Sequence, residues 1–536
     1  MVAFAVLAAF AAGCGGGGAG SMLSGLSNGG GNGGGQTKSL TGFYLHIVIP
    51  ATGGSPLSNR RRPKYISSST SQLAYTVDGT VETPIGLTTA NPDCSGSPVS
   101  CTVPFQIAPG AHTFSFTLED ASNNPLSGAT NVSYTVVAGN ANTLSITLGG
   151  ILASLSVQSQ TANSNRMTGN ASNGFQIYGN SSVQFAVVLQ DADGNTIVGA
   201  MPSPSVAPSA GAPFTIATPS AGSNVWTLTS TYSATNPGTS SNTSMSIVAS
   251  PVPSSGPTNP YQQTIGLQLY QPWIYVLNSG GGGSVTAYDE QGNQKTLSPA
   301  FTVSTPQGIA VDNSTDTNAG DLYVTNLASV KTYVPPSTAT TVPGTFAGIA
   351  SPGPIVFDSH NDQLYVANLA SSGQTMQAFT DGGGAGAGFS TATNIANATG
   401  LAYDSVDNFI FLASGTGNKI YEFNEAGAQQ TTWTTALSNP SGLAYDPNWG
   451  WIFAANKGSN AITAYNTSGT QQTLSGFAVT SPTAMLFDPH SRTFYVMTST
   501  GMKAFSESST TGTVTSTALS GTFPSLNTPT EMLILP

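Results

Sequence analysis

The sequence predicts an all-β protein in which two tandem β-sandwiches precede a six-bladed β-propeller with a composite terminal blade. Three observations support this fold class. Glycine and proline account for 62 and 34 of the 536 residues, which disfavours long helices. Apolar and polar residues alternate over much of residues 40–270, as in strands with one buried face. Residues 271–536 carry a longer repeat with a period in the forties, which is typical of propeller blades.

The first sandwich is predicted over residues 40–150 and the second over residues 151–270. Strands are expected at Phe114, Phe116 and Leu118, at Leu144, Ile146 and Leu148, and at Val183, Phe185 and Val187. An internal match sets the number of domains at two, because residues 118–129 align without gaps on residues 189–200.

Both copies of this match contain an aspartate followed four residues later by an asparagine, at Asp120 and Asn124 and at Asp191 and Asn195. The motif resembles bacterial immunoglobulin-like domains, and the resemblance implies that Asp and Asn bond backbone groups of the turn. The alternative is a calcium loop at residues 191–195. That segment lacks the downstream bidentate glutamate and the flanking helices of an EF-hand.

The propeller repeat reads Pro-x-Gly, an aliphatic residue, Ala, Val or Tyr, and then Asp. Its five complete copies end at Asp312, Asp358, Asp404, Asp446 and Asp488, and each is followed by an aromatic-rich strand. Residues 529–535 match a first strand with nothing after it, whereas residues 273–288 match a blade that lacks its first strand. We therefore expect the two ends to combine into a sixth blade, which removes both exposed sheet edges.

The repeat resembles NHL-type and related six-bladed propellers over residues 271–536, with a good local match at residues 456–465. The recurring aspartate is interpreted as a turn residue. This architecture hosts enzymes, binding proteins and scaffolds, so the fold alone selects no activity. The tryptophans Trp433, Trp449 and Trp451 either line a sugar- or peptide-binding face or pack between blades.

A calcium-dependent lactonase of the gluconolactonase type is the enzymatic alternative. The resemblance implies that such enzymes hold one metal on the axis with Glu, Asn and Asp side chains. The positions four residues before each repeat aspartate are Gly308, Pro354, Gly400, Gly442, Ala484 and, in the composite blade, Glu531. We therefore predict Glu531 as a possible axial-channel site. No catalytic residue, metal ligand or cofactor is assigned, and enzymatic activity is left open, with a non-enzymatic role preferred.

Export is predicted from the first residues of the chain. An apolar run at residues 2–12 leads into Ala11-Ala12-Gly13-Cys14, which resembles a bacterial lipoprotein signal. The resemblance implies a signal peptide at residues 1–13 and a lipid on Cys14, followed by a flexible Gly/Ser/Asn linker over residues 14–39. No Lys or Arg precedes the run, which departs from the pattern, and a generic cleaved signal is the alternative.

The two cysteines that remain, Cys94 and Cys101, flank a Pro/Gly turn and are expected to form a disulfide. Zinc would require two further ligands, and the four histidines show no metal spacing. Two of them, His360 and His490, fall in turns and are expected at the surface.

The charge pattern limits the possible partners. The net charge is −11, and four of the twelve cations lie together at Arg60, Arg61, Arg62 and Lys64. The remaining surface would repel a phosphate backbone, so nucleic acid is not expected as a partner. The basic cluster either contacts an anionic surface near the anchor or is a solvated loop.

Together these features predict a lipid-anchored cell-envelope protein whose propeller binds a protein or a glycan; the oligomeric state is not predicted.

Overall fold

The computed structural model describes residues 41–49 and 66–535, apart from short internal gaps. Those gaps are residues 139–141, 143, 145, 147, 161–164, 180–181, 198–203, 221–222, 235–239, 250–260, 298–300, 302, 315–317, 335–345, 370–374, 387–388, 390–394, 396, 500, 509, 518, 520–522 and 524–525. The described residues form β-strands and one 3-10 segment at Gly280–Gly282, with no α-helix. No helix within this part of the chain is long and apolar enough to cross a membrane. The predicted all-β class is confirmed.

The first sandwich packs two sheets, β1-β6-β5 and β3-β2-β7-β8-β9, the second with β4 paired to β2. Its strands are β1 Thr41–Ile49, β2 Gln72–Val77, β3 Thr80–Val81, β4 Ile85–Gly86, β5 Cys94–Ser95, β6 Val99–Ile107, β7 Gly110–Glu119, β8 Pro125–Val136 and β9 Gly149–Gly150. Phe114, Phe116 and Leu118 are fully buried in the shared core, as their alternation predicts. Leu144, Ile146 and Leu148 are buried there too; residues 143, 145 and 147 between them lie outside the described part of the chain, so the strand expected over this segment stays a prediction. Cys94 and Cys101 form the predicted disulfide between β5 and β6.

The second sandwich packs the sheets β10-β13-β16-β15 and β11-β12-β18-β17-β14. Its strands are β10 Ser154–Ser159, β11 Met167–Asn170, β12 Gly174–Tyr178, β13 Ser182–Gln190, β14 Ser205–Pro208, β15 Phe214–Ala217, β16 Val225–Ser230, β17 Ser240–Ala249 and β18 Tyr261–Tyr270. The pair β12 and β18 is parallel, whereas the other pairs of these two sheets are antiparallel.

The matched Asp and Asn residues stabilise turns in both sandwiches. The Asp120 carboxylate accepts hydrogen bonds from the backbone N–H groups of Ser122 and Asn124, both at 2.8 Å. Asp191 accepts the equivalent bonds in the second sandwich, with Asn195 N–H at 2.9 Å. The Asn195 side chain also donates to the Ser67 hydroxyl at 2.9 Å, which links this turn to the first sandwich. The aspartates therefore serve as the turn residues that the motif predicts.

The propeller consists of six sheets. Five are formed by β22 Gly308–Val311, β23 Leu322–Asn326 and β24 Ser329–Tyr333; β25 Pro352–Asp358, β26 Gln363–Asn368 and β27 Thr375–Thr380; β28 Ala398–Asp404, β29 Phe409–Ser414, β30 Lys419–Asn424 and β31 Gln429–Trp433; β32 Pro440–Asp446, β33 Trp451–Asn456, β34 Ala461–Asn466 and β35 Gln471–Gln472; and β36 Pro482–Asp488, β37 Thr493–Thr498, β38 Gly501–Glu507 and β39 Val514–Thr517. The sixth contains β19 Trp273–Asn278, β20 Ser284–Asp289, β21 Gln294–Lys295 and the final strand β40 Pro529–Leu535.

The sixth blade is composite, as the ends of the repeat predict. Strand β40 pairs antiparallel with β19, so that Tyr275 lies opposite Leu533. Because β40 is the innermost strand of its blade, the end of the described chain supplies the missing first strand and closes the ring.

Three positions of the repeat each have a physical role in the propeller. A Cβ on Gly400 would lie 2.9 Å from the Gly442 Cα, so the first strands of adjacent blades approach too closely for a side chain. The residue before this glycine then links the blades: the Thr399 hydroxyl donates to the Pro440 carbonyl at 2.6 Å. The repeat aspartates bond the next turn, as Asp404 does by accepting from Val406 N–H at 2.8 Å. Their interpretation as turn residues is confirmed.

A polar contact joins the second sandwich to the propeller. Arg166 pairs with Glu290 at 2.9 Å and donates to the Tyr178 carbonyl at the same distance. The His490 ring stacks on Tyr178 with centroids 3.6 Å apart. Burial lowers the pKa of the His490 imidazole, which lies half-buried at this junction and not free at the surface as expected.

Candidate ligand channel

A cavity of about 300 Å³ runs along the propeller axis. Five of the six innermost strands contribute three consecutive residues to its wall, such as Leu401–Tyr403 and Leu443–Tyr445, and β40 contributes four, Glu531–Ile534. Four further residues, Asn313, Ser405, Pro447 and Pro489, line it just beyond the repeat aspartates. The cavity is therefore built by the repeat itself, with every blade contributing the same part of its first strand.

Main-chain groups form much of the channel wall, because the side chains of the innermost strands point away from the axis. Each innermost strand pairs with only one neighbour in its sheet, so its second hydrogen-bonding edge is turned toward the axis. Its side chains instead pack between blades: Leu401 and Leu443 are about 95% buried in interblade clusters. The channel thus offers main-chain N–H and C=O groups as well as apolar surface to a bound molecule.

Glu531 is the single carboxylate among the described residues that line the channel. Glu531 lies opposite Leu277 in the strand register, just as Gly442 lies opposite Ala455 in its own blade. Glu531 therefore occupies the level at which the other blades have Gly, Pro or Ala. Burial raises the pKa of the Glu531 carboxyl well above its usual range, with no nearby charge contributing. Sequence alignment of the repeat identifies this position, but not the desolvation of the carboxyl.

Two tyrosines, Tyr403 and Tyr445, line the channel next to the repeat aspartates Asp404 and Asp446. The Tyr403 hydroxyl donates to the Asn408 side chain at 2.8 Å. Burial, together with the carboxylate of Asp358, raises the pKa of Tyr403 far above that of a free phenol, and burial and Asp404 do the same for Tyr445. Both phenols therefore stay protonated at neutral pH, and each donates its one hydrogen within the protein, Tyr403 to Asn408 and Tyr445 to Asp404.

A second carboxyl group was missed by sequence reasoning. Glu507 lies against Asp446 of the preceding blade and also pairs with Arg492. Burial raises the pKa of Glu507 to about 8, and the hydrogen bond and charge of Asp446 add to the rise. No sequence signal links these residues, because the contact arises only when two blades pack together.

The remaining predicted residues have different outcomes. Cys14 and the basic cluster Arg60, Arg61, Arg62 and Lys64 lie outside the described residues. Trp433 is buried and stacks near Phe411, with centroids 5.0 Å apart. Trp449 and Trp451 are half-buried and pack in an aromatic cluster between blades. The tryptophans therefore serve mainly in packing.

The donor set can be compared with what calcium requires. Hard cations of this type take six to eight oxygen ligands. The channel offers one carboxylate among its described wall residues, and no group of three or more His, Cys, Asp or Glu in the described parts of the chain is arranged to hold a metal ion. At residues 191–195, both carboxylate oxygens of Asp191 already accept hydrogen bonds within the turn.

Comparisons with known proteins add little to this geometry. No protein-family model matches the chain, and no curated protein matches it. Among solved structures, it is similar to a nidogen/laminin complex, with 12% identity and a TM-score of 0.38 over 50% of this chain and 99% of that one. A functionally unknown protein from Desulfotomaculum acetoxidans matches with 16% identity and a TM-score of 0.34, over 46% and 83% of the two chains. A proposed 6-phosphogluconolactonase from Bacteroides uniformis matches with 12% identity and a TM-score of 0.35, over 46% and 81%.

Proposed function

We propose that this protein is a non-enzymatic binding protein of the bacterial cell envelope, and that the propeller channel is its ligand site. The observation that carries the proposal is the Glu531 carboxyl, which lies half-buried and, among the described residues, without a charged partner in a cavity bordered by all six blades. A site of this form holds a small molecule in the way that concave ligand pockets generally do.

The ligand is best matched by a small polar molecule with an ammonium group. An opposite charge beside a buried carboxyl favours its ionised form and offsets its desolvation. The main-chain carbonyls along the strand edges would accept the remaining ammonium hydrogens, and main-chain N–H groups of the same edges would donate to the hydroxyls of the ligand.

Export and anchoring complete the proposal. The disulfide between Cys94 and Cys101 supports an oxidising compartment. A lipid on Cys14 would hold the protein at a membrane, on the outer membrane, at the cell surface or in the periplasm. Substitution of Cys14 by Ser should move the protein from the membrane fraction to the soluble fraction, and continued membrane association of this variant would contradict the anchor.

Calorimetric titration with glucosamine and glucose tests the ligand site, because the two sugars match in size and differ in one ammonium group. We expect glucosamine to bind at least tenfold more tightly to the full-length protein, and Glu531→Gln to abolish that preference. Asp407→Asn is the matched control, since Asp407 is an exposed carboxylate of the same propeller. Equal binding of both sugars, or an unchanged preference in Glu531→Gln, would refute the channel site.

The calcium-dependent lactonase remains the alternative function, and no observation in the described residues favours it. Calcium bound to the native state would raise the thermal midpoint, since a ligand stabilises the state that binds it. We expect no shift that a chelator reverses. A reversible shift of several degrees would favour the hydrolase over the binding protein.

A further inference from the structure

A second cavity lies in the second sandwich, apart from the propeller channel. It is a groove of about 450 Å³ on the sheet β11-β12-β18-β17-β14. Three glycines border it on three strands or their ends: Gly169, Gly174 and Gly266. The groove is open to solvent, and Gly266 is exposed within it.

The backbone at two of these positions excludes any other residue. Gly169 has φ of +89°, and a Cβ there would lie 2.4 Å from the Gly174 carbonyl oxygen. Gly174 has φ of +90°, and its Cβ would lie 3.0 Å from the Gly266 carbonyl oxygen. The groove is therefore a fixed feature of the backbone, because only glycine adopts these conformations without strain.

The sides of the groove consist of uncharged hydrogen-bonding groups. Asn173, Gln176, Asn242 and Gln268 supply four side-chain amides, and none of the described lining residues is charged. The Gln176 amide donates to Gln268 at 3.4 Å, and the Gln268 amide donates to the Ser240 hydroxyl at 2.9 Å. Each amide nitrogen has two hydrogens, so both glutamines are held in place while a second donor remains for a ligand.

Aromatic rings continue the same face beyond the amides. Tyr178 and Tyr270 follow Gln176 and Gln268 by two residues on paired strands, so their side chains point to the same side of the sheet. Their rings are stacked, 4.9 Å apart and 9° from parallel. The ring of His490 covers the Tyr178 side of this pair, which fixes its position at the end of the amide row.

We propose that this groove binds a neutral oligosaccharide. Such a chain presents hydroxyls that both donate and accept, which amide groups match, and it carries no charge that would need a partner. A charged polymer would find no opposite charge among the described residues that line the groove. The tyrosine pair, which His490 covers on its Tyr178 side, would border the bound chain at one end of the groove, while a peptide would compete mainly through its backbone.

Binding of the full-length protein to maltohexaose, cellohexaose, xylohexaose and chitohexaose tests the proposal, with oligogalacturonate and an Ala/Ser peptide of similar length for comparison. We expect at least one neutral hexasaccharide to bind, and neither the anionic chain nor the peptide to match it. Gly266→Leu should weaken that binding at least tenfold, because φ at Gly266 is ordinary and a Cβ fits there without a clash, so the side chain fills the groove in a folded protein.

The matched control is Gln262→Leu, which adds the same side chain at an exposed position of the same strand outside the groove. Its oligosaccharide binding should equal that of the unmodified protein, and Gln268→Ala should weaken binding. Failure of all four neutral chains to bind, stronger binding of the peptide or of oligogalacturonate, or binding that Gly266→Leu leaves unchanged would each overturn the proposal. None of these results depends on Glu531.

Discussion

Replacement of Arg166 by Ala should destabilise the protein by an amount that increases with pH. Arg166 is the cation that pairs with Glu290, whose side chain is 3% exposed where the second sandwich contacts the propeller. Burial raises the pKa of Glu290 to about 7, against the opposing effect of Arg166, while Asp488 and Asp289 add to the rise. Tyr495 also faces this group, and Lys295 pairs with Asp289 at 3.3 Å.

The magnitude follows from linkage. An acid whose folded pKa exceeds its unfolded value stabilises the protein at low pH, and this stability is lost as pH rises toward the folded pKa. In the unmodified protein the loss is complete near pH 7; without Arg166 it continues to higher pH. If the pKa of Glu290 rises from about 7 to about 9, the additional loss at pH 9 is about 2.3 kcal/mol, and at pH 6 it is close to zero. The lost bond to the Tyr178 carbonyl adds about 1 kcal/mol at either pH.

Urea unfolding followed by tryptophan fluorescence at pH 6 and pH 9 measures this difference. Burial lowers the pKa of the nearby His490 below its ordinary value, which reduces its contribution to the comparison. In a Glu290→Gln background, Arg166→Ala should cost the same at both pH values. Lys457→Ala, which removes an exposed cation of the propeller, should have little effect at either.

Two results would refute this reasoning. One is an equal loss at pH 6 and pH 9 in Arg166→Ala. The other is a pH-dependent loss that persists when Glu290 is already Gln, because no ionisable carboxyl would then remain at that position.

Three further predictions concern other parts of the chain. Gly442→Leu should lower the free energy of unfolding by roughly 1–3 kcal/mol, because a Cβ at this position would lie 3.0 Å from the Ala484 Cα. Gly501→Leu is the control and should leave the free energy of unfolding unchanged, because no atom lies within 4 Å of a Cβ there. Urea unfolding of the two variants measures the difference. Glu507→Gln should flatten the fall in stability between about pH 4.5 and 8 that its raised pKa implies, and an unchanged slope in urea midpoints would contradict this. Replacement of the four cations of residues 60–64 by Ser should weaken binding of delipidated protein to anionic vesicles at low salt, and unchanged binding would discard the surface contact.

Local patterns predict most of this fold. Apolar alternation places Phe114 and Phe116 in the core, and the repeat predicts both the aspartate turns and the pairing of residues 529–535 with residues 273–278. These features depend on residues close in sequence or on a strict period. The same alternation places Leu144, Ile146 and Leu148 in the core of the first sandwich.

The candidate sites are less accessible to sequence reasoning. Glu531 can be aligned with the repeat, but its raised pKa depends on how six strands enclose it. The pairs Arg166 with Glu290 and Asp446 with Glu507 join residues 124 and 61 positions apart through domain and blade packing. The sandwich groove depends on positive φ angles that a glycine in the sequence permits but does not require.

Ring closure and the proposed ligand site involve the same strand, β40. In the five complete blades, Gly, Pro or Ala occupies the level of Glu531, where a Cβ on Gly308 would approach the Gly353 carbonyl oxygen to 2.6 Å. Strand β40 introduces a carboxyl at that level beside β22, which begins with Gly308, and burial of the carboxyl opposes closure at high pH. A cation bound to Glu531 would offset this cost and so stabilise the closed ring. A cation at the proposed site would therefore act on the strand that closes the propeller.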